Sequence, residues 1–195
     1  MKGVFIMKMK RVASVVLTGA LVLSMGVAAF AATPSKTVAD EVKAVASVET
    51  TGFDRVEIKT EETEATVAQS AAVVKELAAA PAELSTAVGA TKEEQVEITA
   101  VQTVTVAETP LFNRTTVTVT LSSAVVEAAY KENEEVAVVV MVPVVDKNGN
   151  VTYEKMVVTG VVKGGKLQVK LTGAQLKKIG KKSVTMVATK KTAKV

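Results

Sequence analysis

From Gln95 onward the chain alternates apolar and polar residues with a period of two, the spacing of strands that have one covered face. In QVEITAVQTVTVA the apolar positions are Val96, Ile98 and Ala100, followed by Val104 and Val106, which suggests a bulge or a bend. TTVTVTL sets Val117, Val119 and Leu121 against Thr116, Thr118 and Thr120. KLQVKL sets Leu167, Val169 and Leu171 against Lys166, Gln168 and Lys170, and SVTMVAT supplies a last strand. Asp146-Lys147-Asn148-Gly149-Asn150 and Lys163-Gly164-Gly165-Lys166 are hairpin turns. SSAVVEAAYKENEE is a capped helical turn or a long loop, and TGAQLKKIG is a short helix capped by Thr172 and closed by Gly180.

One strand does not alternate. Val136 to Val145 has no polar side chain, yet it is about half the length that a membrane-spanning helix needs. Valine dominates it, Pro143 interrupts it and Asp146 ends it, so a bilayer reading is poor. A strand that is apolar on both faces is covered on both. Cover for the second face is expected from the alanine-rich segment upstream, where Val67, Ala71, Val74 and Ala78 recur at helical spacing behind an acidic start. Pro81 ends that helix, and a shorter one, Ala82 to Val88, stops at Gly89. The expectation is a helical pair over about 64–88 packed on one sheet. Val42 to Thr60 reads as two further β segments around Thr51-Gly52.

The first thirty-one residues belong to a different logic. Four positive charges by Arg11 precede an uncharged apolar stretch that ends in Ala29-Phe30-Ala31. A basic start, an apolar middle and small residues at the −3 and −1 positions are the parts of a secretory signal, with cleavage expected after Ala31. The alternative is an uncleaved anchor. The organisation expected is therefore a signal peptide at 1–31, a flexible lead-in at 32–41 and a single domain at 42–195. Export without cysteine leaves the domain to stand on packing without disulfides and excludes a lipid-anchoring cysteine. VATKKTAKV has no sorting motif, so the expected location is secreted or held non-covalently at the cell surface.

The β segments, the helical pair and the antiparallel run predict a mostly-β, α+β fold, an antiparallel sandwich with the helices on one sheet. With the signal and the run TTVTVTL, EEVAVVV, NGNVTYEKM and GGKLQVKL, the chain resembles the small exported immunoglobulin-like sandwich proteins of Gram-positive bacteria. That resemblance implies an immunoglobulin-like fold and a surface location, and it implies no activity.

Charge then changes the picture. The full chain has 24 basic and 20 acidic residues, but Lys2, Lys8, Lys10 and Arg11 leave with the signal, which makes the remainder neutral. What survives is an asymmetry: residues 32–135 carry 8 basic and 18 acidic side chains, and residues 136–195 carry 12 and 2.

Catalysis has little to build on. Histidine and cysteine are absent, which removes imidazole bases, cysteine nucleophiles and ordinary zinc sites. The glutamates select no pair for glycoside hydrolysis. DKNGN places Gly149 fourth, where a calcium loop needs its glycine sixth. No enzyme activity, cofactor or metal is expected, and nucleic acid is a poor partner for an exported chain with few aromatics. Of the aromatics beyond the signal, Phe53 and Phe112 read as core or turn anchors, and Tyr130 and Tyr153 as the two that could be exposed.

The basic end remains: Lys177, Lys178, Lys181, Lys182, Lys190, Lys191 and Lys194. Two readings stay open, protection of sheet edges and contact with an anionic cell-wall polymer. The function expected is a non-catalytic surface or matrix protein using these lysines, with no membrane contact once the signal is removed. The alternative is an assembly module in which the acidic half of one copy meets the basic half of another copy or a second surface protein.

Overall fold

The computed structural model describes residues 43–51 and 56–194. The expected signal, with Ala29 and Ala31, and the lead-in at 32–41 lie outside the described residues. Eight strands follow among these residues: β1 (Val45–Thr51), β2 (Glu57–Lys59), β3 (Glu94–Glu108), β4 (Thr116–Ser122), β5 (Glu135–Val145), β6 (Val151–Lys163), β7 (Lys166–Thr172) and β8 (Ser183–Ala193). Every pairing between them is antiparallel, in the order β1-β4-β7-β6-β5-β8-β3-β2.

The expected sandwich of two sheets is corrected by this ladder, because all eight strands belong to one hydrogen-bonded sheet. Its long members, β3 at 15 residues and β6 at 13, leave room for twist to accumulate along each strand. The sheet therefore curls until its β1 edge returns to β3: Ala44 N donates to Val101 O at 3.2 Å, and Lys43 bridges Val101 in parallel. The product is a nearly closed barrel around one apolar interior.

The period-two patterns now have a physical meaning. Val117, Val119 and Leu121 of β4 and Leu167, Val169 and Leu171 of β7 all enter that interior fully buried. In β3 the register shifts between Ile98 and Ala100. This bulge turns Ala100, Val104 and Val106 inward while Val96 and Ile98 pack outside.

β5 is buried on both sides. Val136, Val138, Val140 and Val142 line the interior, whereas Val139 and Met141 face outward into a second cluster with Val101 and Val187. Two helices complete that cluster. α1 (Glu64–Ala79) brings Val73, Val74 and Leu77, and α2 (Pro81–Ala87) brings Leu84, followed by Val88. Thr63 starts α1 with a capping box, its hydroxyl accepting from Thr66 N at 3.2 Å while Thr66 Oγ1 accepts from Thr63 N at 2.8 Å. A 16-residue helix is marginal alone, so the docked side chains, each contributing about 1.5–3 kcal/mol, hold it. A polar seam fixes its register: Ser70 Oγ lies 2.7 Å from Thr103 Oγ1, which lies 2.7 Å from Thr185 Oγ1, and Gln69 Nε2 donates to Ser183 O at 2.9 Å.

Short helices sit at opposite ends of the barrel. α3 (Ala124–Ala129), capped by Ser123, sends Val126 into the interior from one end. α4 (Gly173–Ile179) follows β7 at the other, with Leu176 and Ile179 fully buried. Thr172 and Gln175 form its capping box, and Gly180 leaves it at φ +70°.

Candidate binding surface at the α4 end

The amphipathic character of α4 creates the first element of a surface. Leu176 and Ile179 point into the barrel, which leaves Lys177 and Lys178 exposed, and Lys181 and Lys182 follow in the exit turn. Lys177 Nζ donates to Leu111 O at 2.7 Å and to Asn113 Oδ1 at 2.9 Å. Lys178 pairs with Glu154 at 2.6 Å, and Lys182 Nζ donates to Pro143 O at 3.2 Å. Lys177 and Lys182 thus meet neutral oxygens, whereas Lys178 faces a carboxylate.

These contacts also fix what surrounds the helix. The loop after β3 is pinned against the start of α4 so closely that a Cβ on Gly173 would lie 2.3 Å from Phe112 O. Leu111 and Phe112 are nevertheless 80% and 65% exposed. On the other flank rises the β5–β6 hairpin, whose last apolar pair, Val145 and Val151, is 63% and 54% exposed. Its turn is set by Asp146: Oδ1 accepts from Asn148 N at 2.7 Å and Asn150 N at 2.8 Å, and Oδ2 from Asn150 Nδ2 at 2.9 Å. Those donors hold the Asp146 carboxyl below its usual range, the Asn150 side chain contributing most.

The seven lysines do not form one patch. β8 separates Lys182 from Lys190 by eight residues, about 26 Å along an extended strand. At the α3 end, Lys190 donates to Ala129 O and lies over the Tyr130 ring, 5.4 Å from its centroid. Lys191 Nζ donates to Gly89 O at 2.9 Å and Lys194 Nζ to Lys92 O at 2.6 Å. This trio ties down neighbouring segments. It also lies beside acidic residues, since β8 pairs with β3: Glu97 stands opposite Lys190, and Lys194 N donates to Glu93 O at 2.8 Å. The asymmetry between sequence halves is folded back on itself at this end.

Phe53 lies outside the described residues, and the other three aromatics depart from their expected roles. Tyr130 is buried, with its hydroxyl 2.6 Å from Thr99 Oγ1, and Tyr153 packs half-buried beside the outer cluster, whereas Phe112 is the exposed one. Burial pushes the Tyr130 phenol up to about 12. A group whose folded pKa is raised contributes stability that is complete below its unfolded value, near 10, and lost as the pH rises through about 12. Tyr130→Phe is therefore expected to flatten the decline of stability across that window relative to the native chain, measured by urea unfolding at stepped alkaline pH. An unchanged slope would contradict the burial of this phenol.

Open surface depressions also lie elsewhere on the barrel. One of about 510 Å³ involves Lys131, Glu132, Glu134 and Lys190 at the α3 end, and one of about 380 Å³ lies at the β1–β3 seam beside Lys43 and Glu62, which are paired at 2.7 Å. Both have mixed charge, and neither gathers a set of groups suited to chemistry. No cluster of three acidic side chains placed to hold a metal occurs among the described residues. Sequence reasoning missed the exposed Leu111-Phe112 step. Its signal was two large apolar residues between Pro110 and Asn113, inside a segment whose flanks demand a turn.

No family model matches the chain, and no curated protein or solved structure does either.

Proposed function

We propose that the chain is an exported, non-catalytic binding domain that engages an anionic partner of the cell envelope through the α4 end. The observation that carries this reading is the helix cap itself. The helix and its exit turn expose Lys177, Lys181 and Lys182 at one end of the barrel, with neutral oxygens beside the ammonium groups of Lys177 and Lys182. Phosphate-bearing polymers such as teichoic acids have the complementary charge, and a lysine meets them as a point charge. Export rests on the basic start, apolar middle and Ala29-Phe30-Ala31 ending of the first thirty-one residues.

Assembly through complementary acidic and basic halves has less support, because β3 and β8 already set Glu97 against Lys190 within one copy. The test is co-sedimentation of the chain cut after Ala31, which keeps every described residue, with cell walls across a salt series. Retention that weakens with salt and falls when teichoic acid is stripped is the expected result. Retention indifferent to salt, or none at all on walls or envelope lipid, would remove the reading.

A further inference from the structure

The α4 end carries more than charge. A polymer of phosphates asks only for cations, yet this end also exposes two large apolar side chains on each flank of the lysines. Leu111 and Phe112 stand on one side, on the loop that Lys177 holds, and Val145 and Val151 on the other, on the hairpin stem beyond Glu154 and Lys178. Consecutive lysines of one helix contact both flanks, so the four apolar residues and the cations share one end of the barrel. Apolar residues this exposed and grouped, with a basic rim, mark a contact surface rather than scattered exposure.

The chemistry that matches both parts at once is a layer of anionic headgroups over hydrocarbon. We infer that the α4 end docks on an anionic lipid bilayer, with Leu111 and Phe112 entering the headgroup boundary and Lys177, Lys181 and Lys182 meeting the phosphates. The inference rests on the proposed anionic contact at this end and names its partner. Aromatic and aliphatic side chains settle at that boundary, and each basic residue near an anionic surface adds roughly a fivefold gain in partition. Asp146 and Glu154 are the opposing charges on the hairpin flank; Glu154 is offset by Lys178, whereas Asp146 meets only the neutral donors of its own turn and stays a negative charge beside Val145, which the three lysines outnumber. Among the described residues no helix is long and apolar enough to cross a membrane. A peripheral contact needs no such helix.

The experiment uses the chain cut after Ala31, which removes the apolar signal, and measures partition onto vesicles of phosphatidylcholine alone and of phosphatidylcholine mixed with phosphatidylglycerol. Soluble teichoic acid is the parallel arm. Binding is expected on the mixed vesicles and not on phosphatidylcholine alone. Lys181→Glu with Lys182→Glu should weaken it roughly tenfold or more. Leu111→Ser with Phe112→Ser should do the same to vesicle binding while leaving any teichoic acid binding unchanged. Val145→Ser with Val151→Ser is a second apolar variant, on the separate flank, expected to act in the same direction. All these side chains are exposed, so unfolding curves should stay close to native. Teichoic acid binding without vesicle binding, or vesicle binding indifferent to both apolar variants, would overturn the lipid inference and leave the anionic contact standing. Loss of neither interaction in the Lys181 and Lys182 variant would overturn both.

Discussion

Met141→Ala is expected to lower the unfolding free energy by about 2–5 kcal/mol, the range for truncating a fully buried side chain of this size. The reasoning starts from the pleat. Met141 lies on the face of β5 that points away from the barrel interior, so an uncovered sheet would leave it in water and its truncation nearly neutral. Instead it has no exposed surface and contributes to the cluster with Val73, Leu77 and Leu84 of the two helices. The first helix cannot shift to refill the gap without also breaking the hydroxyl contact from Ser70 to Thr103, so a cavity remains. Val144→Ala, three residues along the same strand and 40% exposed, is the control and should stay within about 0.5 kcal/mol. Urea unfolding followed by circular dichroism reads both. Equal, small effects at the two positions would mean that α1 and α2 do not cover this face.

Leu176→Ala carries a similar expected cost, about 2–5 kcal/mol, but its consequences differ. Leu176 fills the barrel end from α4 and is fully buried among the strand side chains. The same seven-residue helix positions Lys177 and Lys178, so a loosened plug also loosens the surface that they hold. Stability and affinity for an anionic partner should fall together in this variant. Leu176→Met, which keeps the volume, should cost less than about 1.5 kcal/mol and retain binding. If Leu176→Ala unfolded more easily yet bound as tightly at temperatures where it is folded, α4 would be a plug and nothing more.

Much of this architecture is local information. Thr116 to Leu121 and Lys166 to Leu171 alternate because one face is wet, and the hairpin at Asp146–Asn150 follows from side-chain acceptors that close their own turn. The ten-residue apolar run requires cover on both faces, and Val138, Val139, Val140 and Met141 are all fully buried. Strand order is not local. β1 and β2 adjoin in sequence yet pair with β4 and β3, on opposite edges of the sheet, and nothing in either short segment names its partner. An alternation pattern specifies a covered face, and a barrel and a sandwich both supply one.

The surface was legible in part, for a similar reason. Four of the seven lysines sit where a capped, amphipathic turn must expose them, and that turn is readable from Thr172, Gln175, Leu176 and Ile179. Their separation from Lys190, Lys191 and Lys194 depends on the intervening residues forming one extended strand through the sheet. The aromatics invert because burial is decided by partners distant in sequence. Tyr130 has Thr99 to satisfy its hydroxyl inside the barrel, while Phe112 sits on a loop whose backbone, rather than its ring, is pressed against Gly173.

On the proposed reading, one end of the barrel binds and the other end only holds itself together. Its most direct test compares two charge reversals of equal size in one retention assay on anionic envelope material at low salt. Lys181→Glu with Lys182→Glu alters the α4 end, and Lys191→Glu with Lys194→Glu alters the α3 end. Loss of binding in the first variant, with near-native binding in the second, is the predicted result. Equal loss in both would reduce the interaction to net charge, and loss in the second alone would place the site at the opposite end of the molecule.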